Sequence, residues 1–307
     1  MNLIKIITAL SLCYLLVGVS HLHAQQQAMF TQYMFNGLAI NPAYAGSQES
    51  WSLTALARKQ WGGFGGAPST QTFSAHGPLG NEKVGLGLLL AHDKIGVTEQ
   101  YGAYAMYAYR IQMKRGTLSA GLQAGLNSYQ ANFTDVLVPD EGDEAFVRDQ
   151  FQSLLPNFGA GLYYSTQRFY AGFSLPMLLT NDYPGSEGKL AQQYRHWFLS
   201  TGYVFDLSSD LKLKPNLLVK AVEGAPVELD INANLLIKEI LWVGLSYRSF
   251  ADISGLLEVQ MTPQFRVGYA YDYALTEISK VSTGSHEIML NYRFIRQDKK
   301  MLTPRYF

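Results

Sequence analysis

Residues 264–275 read QFRVGYAYDYAL, an alternation with a period of two. Successive side chains of an extended strand point to opposite faces. Phe265, Val267, Tyr269, Tyr271 and Tyr273 therefore share one side, and Arg266, Gly268, Ala270 and Asp272 share the other. Residues 228–237, ELDINANLLI, set Leu229, Ile231, Ala233 and Leu235 against Glu228, Asp230, Asn232 and Asn234. Leu241, Val243, Leu245 and Tyr247 oppose Trp242, Gly244, Ser246 and Arg248, and Ile288, Leu290, Tyr292 and Phe294 oppose Glu287, Met289, Asn291 and Arg293. Several strands thus have one greasy and one polar side. Alternation alone leaves a soluble β-sandwich, a propeller and a membrane barrel open, because each of them buries one face.

Composition and connection lengths decide among the three. With 20 Tyr, 16 Phe and 28 Gly against only 16% charged residues, the 307-residue chain suits many strands whose outer face does not meet water. Residues 1–24 read as a secretory signal: Lys5 gives the positive start, residues 6–19 the apolar core, and Ala24 the cut. The single cysteine, Cys13, lies within it, so the mature chain has neither a disulfide framework nor a thiol nucleophile. After residue 24 no stretch provides the roughly 18 uncharged apolar residues that a membrane helix requires. Lys+Arg 24 balance Asp+Glu 24, so charge points to no nucleic acid and no anionic surface.

Fourteen candidate strands fall near 51–61, 70–78, 83–92, 98–112, 116–129, 156–166, 168–177, 194–206, 211–220, 227–237, 240–248, 254–261, 264–274 and 285–295. The connections after even-numbered strands are tight, and those after odd-numbered strands include the two long ones, 130–155 and 178–193. A transmembrane antiparallel β-barrel has this pattern, with short periplasmic turns and longer external loops. An even strand count returns both ends of the barrel to the periplasm. The predicted organisation is a signal peptide at 1–24, a periplasmic or lumenal segment at 25–50, an outer-membrane barrel at 51–295 and a basic tail at 296–307. No propeller-period repeat and no linker divides the mature chain.

Seven segments, in order, carry a resemblance to a known family: MFNGLAINPAYAGS at 34–47, RKQWGGFGGAP at 58–68, GLGLLLAHDKIG at 85–96, YAYR at 107–110, LWVGLSYR at 241–248, YAYDY at 269–273 and GSHEIMLNYRF at 284–294. Together they resemble the PorP/SprF family of outer-membrane proteins from type IX secretion systems. The resemblance implies a non-enzymatic component that supports export, or retention at the cell surface, of cargo with carboxy-terminal sorting domains, gliding adhesins included. Its implied partners are secretion-machinery proteins, that cargo, a cell-wall-linked periplasmic protein and outer-membrane lipid. A general solute porin is the competing expectation.

Three groups of residues are candidate sites. In the opening segment, Asn36 and Asn41 suit side-chain to backbone bonds, Pro42 disfavours a helical Asn41, Gly46 permits a sharp turn, and Met34, Phe35 and Tyr44 are apolar anchors that need a cover. That segment is either a plug filling the lumen or a docking site. Arg58, Trp61, Phe64 and Pro68 are expected at the first external loop, in contact with cargo or folded over the mouth. Asp230, Arg248, Arg266, Asp272 and Arg293, on polar strand faces, are expected as a lumenal network that crosslinks the wall. The acidic run at 135–149 reads as a solvated loop because it lacks the ligand order of a calcium loop, and the tail with Arg296, Lys299, Lys300 and Arg305 reads as solvated. There is no HExxH, no GxSxG and no phosphate-binding glycine loop, and His76, His92, His196 and His286 have no ligand-like spacing. No cofactor, metal or catalytic residue is expected.

Overall fold

The structure, a computed structural model, describes residues 29–48, 50–80, 82–132, 150–182 and 192–294. The signal peptide, the acidic run and the basic tail lie outside these residues. Among the described residues fourteen strands form one antiparallel barrel. They are β1 (Trp51–Lys59), β2 (Ser69–Leu79), β3 (Val84–Ile95), β4 (Thr98–Met113), β5 (Gly116–Ala131), β6 (Gln150–Ser165), β7 (Phe169–Leu175), β8 (His196–Tyr203, resumed at Phe205–Asp206), β9 (Leu211–Val222), β10 (Glu228–Ile237), β11 (Leu241–Arg248), β12 (Asp252–Gln260), β13 (Phe265–Ala274) and β14 (Ser285–Phe294). Each strand pairs with its neighbour in sequence, and β1 pairs along its whole length with β14, from Trp51↔Phe294 to Lys59↔His286. The ring is therefore shut and leaves no open edge.

The predicted barrel and its connection pattern are present. One rim carries the short turns 80–83, 114–115, 166–168, 207–210, 238–240 and 261–264. The other, here the loop rim, carries 60–68, 132–149, 176–195 and 275–284 together with three tight connections. Most strand ends fall within three residues of expectation, and two differences have a clear physical reason. β6 begins at Gln150, because its pairing with β5 continues to Ala131↔Gln150 through a register irregularity after Tyr129. Adjacent Leu154, Leu155 and Pro156 hide that extension by breaking the alternation. β7 stops at Leu175, one residue before Pro176, whose nitrogen has no proton to give the ladder. The wall is consequently uneven: β4, β5 and β6 have 16 residues each and β7 has 7.

Side chains follow the alternation. In β13, Arg266, Ala270 and Asp272 are buried while Tyr269, Tyr271 and Tyr273 are exposed on the outside. In β10, Asp230, Asn232 and Asn234 point in and Ile231 points out. The apolar face looks outward, where a membrane barrel meets lipid, and the polar face looks inward.

Residues 29–48 occupy the interior. Gly37 and Pro42 prevent a continuous helix, and the segment folds instead as three short 3₁₀ turns, Tyr33–Phe35, Gly37–Ala39 and Pro42–Tyr44. Asn41 is extended (φ −143°, ψ 114°), as a residue before proline prefers, and its side chain caps the third turn by accepting from the Ala43 amide at 2.9 Å. Two apolar clusters result. Phe30, Met34, Phe35 and Ile40 pack with Leu56, Leu218, Trp242 and Met289, while Leu38, Ala43, Tyr44 and Ala45 pack with Leu89, Met106, Tyr163 and Tyr170. Each fully buried large side chain is worth about 1.5–3 kcal/mol, so the hydrophobic core of this barrel is its own amino-terminal segment.

Candidate functional site

The lumenal segment is held at three levels. Near the loop rim, Glu287 of β14 accepts from the backbone amides of Thr31 (2.9 Å) and Gln32 (2.8 Å). Arg58 of β1 joins it at 3.1 Å, reaches Asp272 of β13 at 2.5 Å and donates to the Thr31 hydroxyl at 3.0 Å. That hydroxyl donates in turn to Asp272 at 2.8 Å. One guanidinium is thus shared by two carboxylates, and two backbone amides donate to one of them, in a site where every participant is buried. Alternation turns Arg58, Asp272 and Glu287 inward on three adjacent strands, and the register of those strands brings them together.

At mid-depth Asn232 donates to the Tyr33 hydroxyl at 2.8 Å, and Asn216 donates to Asn232 at 2.8 Å. Ser74 donates to Asn36 at 3.0 Å. The Phe35 ring lies 5.8 Å from that of Trp242, and the Lys214 ammonium is 5.2 Å from the centre of the Phe35 ring, a cation–π distance. Near the turn rim Asn41 donates to the Leu162 carbonyl at 2.9 Å, Tyr44 packs edge-on against Tyr163, and the Gly46 amide meets His76 Nδ1 at 3.3 Å. The wall opposite this part of the segment is paved with glycine. A Cβ on Gly85 would stand 2.0 Å from the Ala45 carbonyl oxygen, and one on Gly161 would stand 2.2 Å from Asn41 Oδ1. Gly46 itself adopts φ +70°, open to glycine at little cost, where the chain turns toward β1.

The other sequence-predicted residues separate into distinct places. Asp230 and Arg248 do meet: Arg248 Nε and Nη2 donate to the carboxylate at 2.9 and 3.0 Å, and Nη1 lies 3.4 Å from Asp252. Arg266 pairs instead with Glu258 at 2.8 Å, and Asp272 with Arg58. Arg293 is half-buried near the turn rim and joins none of these pairs. Arg58 is an inward residue of β1, whereas Trp61, Phe64 and Pro68 belong to the 60–68 loop. That loop is stitched to the 275–284 connection by Gly62 donating to the Gly284 carbonyl (2.7 Å) and Thr283 donating to Gly62 (2.8 Å), with Pro68 buried and Phe64 exposed. Thr31, Gln32, Glu258 and Lys214 were not singled out from sequence. The inward register of β12 and β14 offered the signal for Glu258 and Glu287, while Thr31 and Gln32 carry none.

The family described as "Type IX secretion system membrane protein PorP/SprF" matches residues 22–292, which takes in the lumenal segment, thirteen whole strands and all but the last two residues of β14. The chain belongs to the PorP/SprF family. This PorP/SprF chain is accordingly an outer-membrane barrel component of the type IX secretion system. Family and fold are those of a secretion barrel and not of an enzyme family. None of the curated proteins matches the PorP/SprF chain. Solved barrels resemble it in fold. The Acinetobacter baumannii outer membrane protein Omp33 has 10% identity and a TM-score of 0.47, over 81% of this chain and 100% of its own. The P. putida toluene transporter TodX has 10% identity and a TM-score of 0.46, over 84% and 93%. The translocator domain of the autotransporter NalP from Neisseria meningitidis has 13% identity and a TM-score of 0.39, over 86% and 93%.

Proposed function

We propose that this PorP/SprF barrel works by binding and not by conduction or catalysis, supporting export or surface attachment of cargo with carboxy-terminal sorting domains, gliding adhesins included. The observation that carries the reading is the occupied lumen. Residues 29–48 are tied to strands on all sides of the wall, and a solute would have to displace a packed core to pass. The plug role of Met34, Phe35, Asn36, Asn41, Pro42, Tyr44 and Gly46 is supported by the same burial; docking a partner on them requires the segment to leave the barrel. Contact with cargo then falls to the loop rim, where Phe64 is exposed and Trp61 is half-buried. The short turns face the secretion machinery and a cell-wall-linked periplasmic protein.

The test is a crosslinked pull-down from outer membranes, run beside planar-bilayer recordings of the purified barrel. Co-purification of machinery proteins and a sorting-domain cargo, with no conductance, is the expected pair of results. Steady ion conductance without such partners selects a solute porin.

A further inference from the structure

We propose that the lumenal segment opens at the loop rim, so that Met29 stands at the mouth that faces the outside of the cell while β14 ends in the periplasm. Strand parity alone says otherwise. β1 starts and β14 ends on the turn rim, and with short turns in the periplasm both ends of the barrel itself lie there. The lumenal segment changes this for the amino terminus because it crosses the barrel before β1 begins.

Its two ends lie at opposite rims. At its far end the Ala45 carbonyl abuts Gly85, the second residue of β3, and the Gly46 amide meets His76, in the last third of β2. Both belong to the turn rim, where the chain enters β1 at Trp51. At its near end Thr31 and Gln32 are bound by Glu287, two residues after β14 begins, while Thr31 also meets Arg58, one residue before β1 ends, and Asp272, two before β13 ends. All three belong to the loop rim. Burial relaxes in the same direction, from Gln32 at 0% exposure through Thr31 at 2% and Phe30 at 6% to Met29, which is only partly buried. Below these residues the two apolar clusters fill the interior, so the loop-side mouth is the exit that remains.

The sequence makes the test direct, since Cys13 is its single cysteine. In a Cys13→Ala background of the full chain, Gln26→Cys, Phe64→Cys and Lys114→Cys report the chain just before Met29, the loop rim and the turn rim, and Phe64 and Lys114 lie outside the strands. Whole cells are treated with a membrane-impermeant maleimide, then compared with lysed cells. The expected result is labelling of Gln26→Cys and Phe64→Cys to the same extent in whole cells, with Lys114→Cys labelled only after lysis. Labelling of Gln26→Cys only after lysis, together with Lys114→Cys, or only after denaturation, overturns the proposal. Labelling of Lys114→Cys but not Phe64→Cys in whole cells also overturns it, by showing that the loop rim faces the periplasm.

Discussion

Gly121 of β5 lies flush against Ala43 of the lumenal segment: a methyl group on the glycine would sit 2.3 Å from the Ala43 backbone nitrogen. Backbone on both sides leaves little to give way. Gly121→Ala is expected to lower stability by about 1–3 kcal/mol, the usual cost of overpacking. The readout is a lower urea midpoint for loss of the heat-modifiable band on gels. Gly255→Ala, where nothing stands within 4 Å of the added carbon, should leave the midpoint unchanged.

Glu287→Ala removes the acceptor of two buried amides and one of the two carboxylates facing Arg58. Breaking a buried pair on one side typically costs about 3–5 kcal/mol. The variant should lose folded barrel at lower denaturant. Chymotrypsin should also reach Phe30 and Tyr33, which are shielded in the intact protein. Unchanged protection of these two sites would show that the apolar contacts alone hold the segment.

Asn41 performs two tasks, accepting from the Ala43 amide and donating to the Leu162 carbonyl. Asn41→Asp keeps the first and loses the second, while Asn41→Ala loses both. Loss of a capping side chain costs about 1 kcal/mol, so at acid pH, where an aspartate is protonated and no buried charge intervenes, the expected order of urea midpoints is intact protein, then Asn41→Asp, with Asn41→Ala lowest.

Arg248 holds Asp230 with two nitrogens while a third lies toward Asp252. A lysine ammonium is a point charge and cannot reproduce this fork. Arg248→Lys should therefore destabilise by the worth of about one charged hydrogen bond, roughly 1.5–3 kcal/mol. Equal midpoints for Arg248→Lys and the intact barrel would show that charge alone matters there.

Much of the architecture was legible because one physical rule, alternation across a pleat, operates in every strand. It placed Asp230, Arg248, Arg266 and Asp272 inward and Tyr269 and Tyr271 outward, and connection lengths gave fourteen strands and two unlike rims. Pairing partners across the lumen were not legible. Arg266 meets Glu258 on the neighbouring strand and Asp272 meets Arg58 across β14 because of strand stagger, a quantity that alternation does not encode. The hold on Thr31 was hidden for a different reason: the atoms that Glu287 recognises are backbone amides, which any residue supplies. Arg58 shows a third limit. The glycine-rich context RKQWGGFGGAP set it at the first external loop although the predicted strand 51–61 already held it; the strand ends at Lys59 and turns the Arg58 side chain inward.

Because Glu287 lies on the final barrel strand, the last strand to be synthesised secures a segment that precedes every strand in the chain. A nascent or truncated polypeptide ending before β14 lacks both the seam partner of β1 and the anchor for Thr31. Such a product is an open sheet with a loose, greasy leading end, a form that quality-control proteases recognise. Seam closure and capture of Thr31 and Gln32 therefore depend on the same strand, so neither is made without β14.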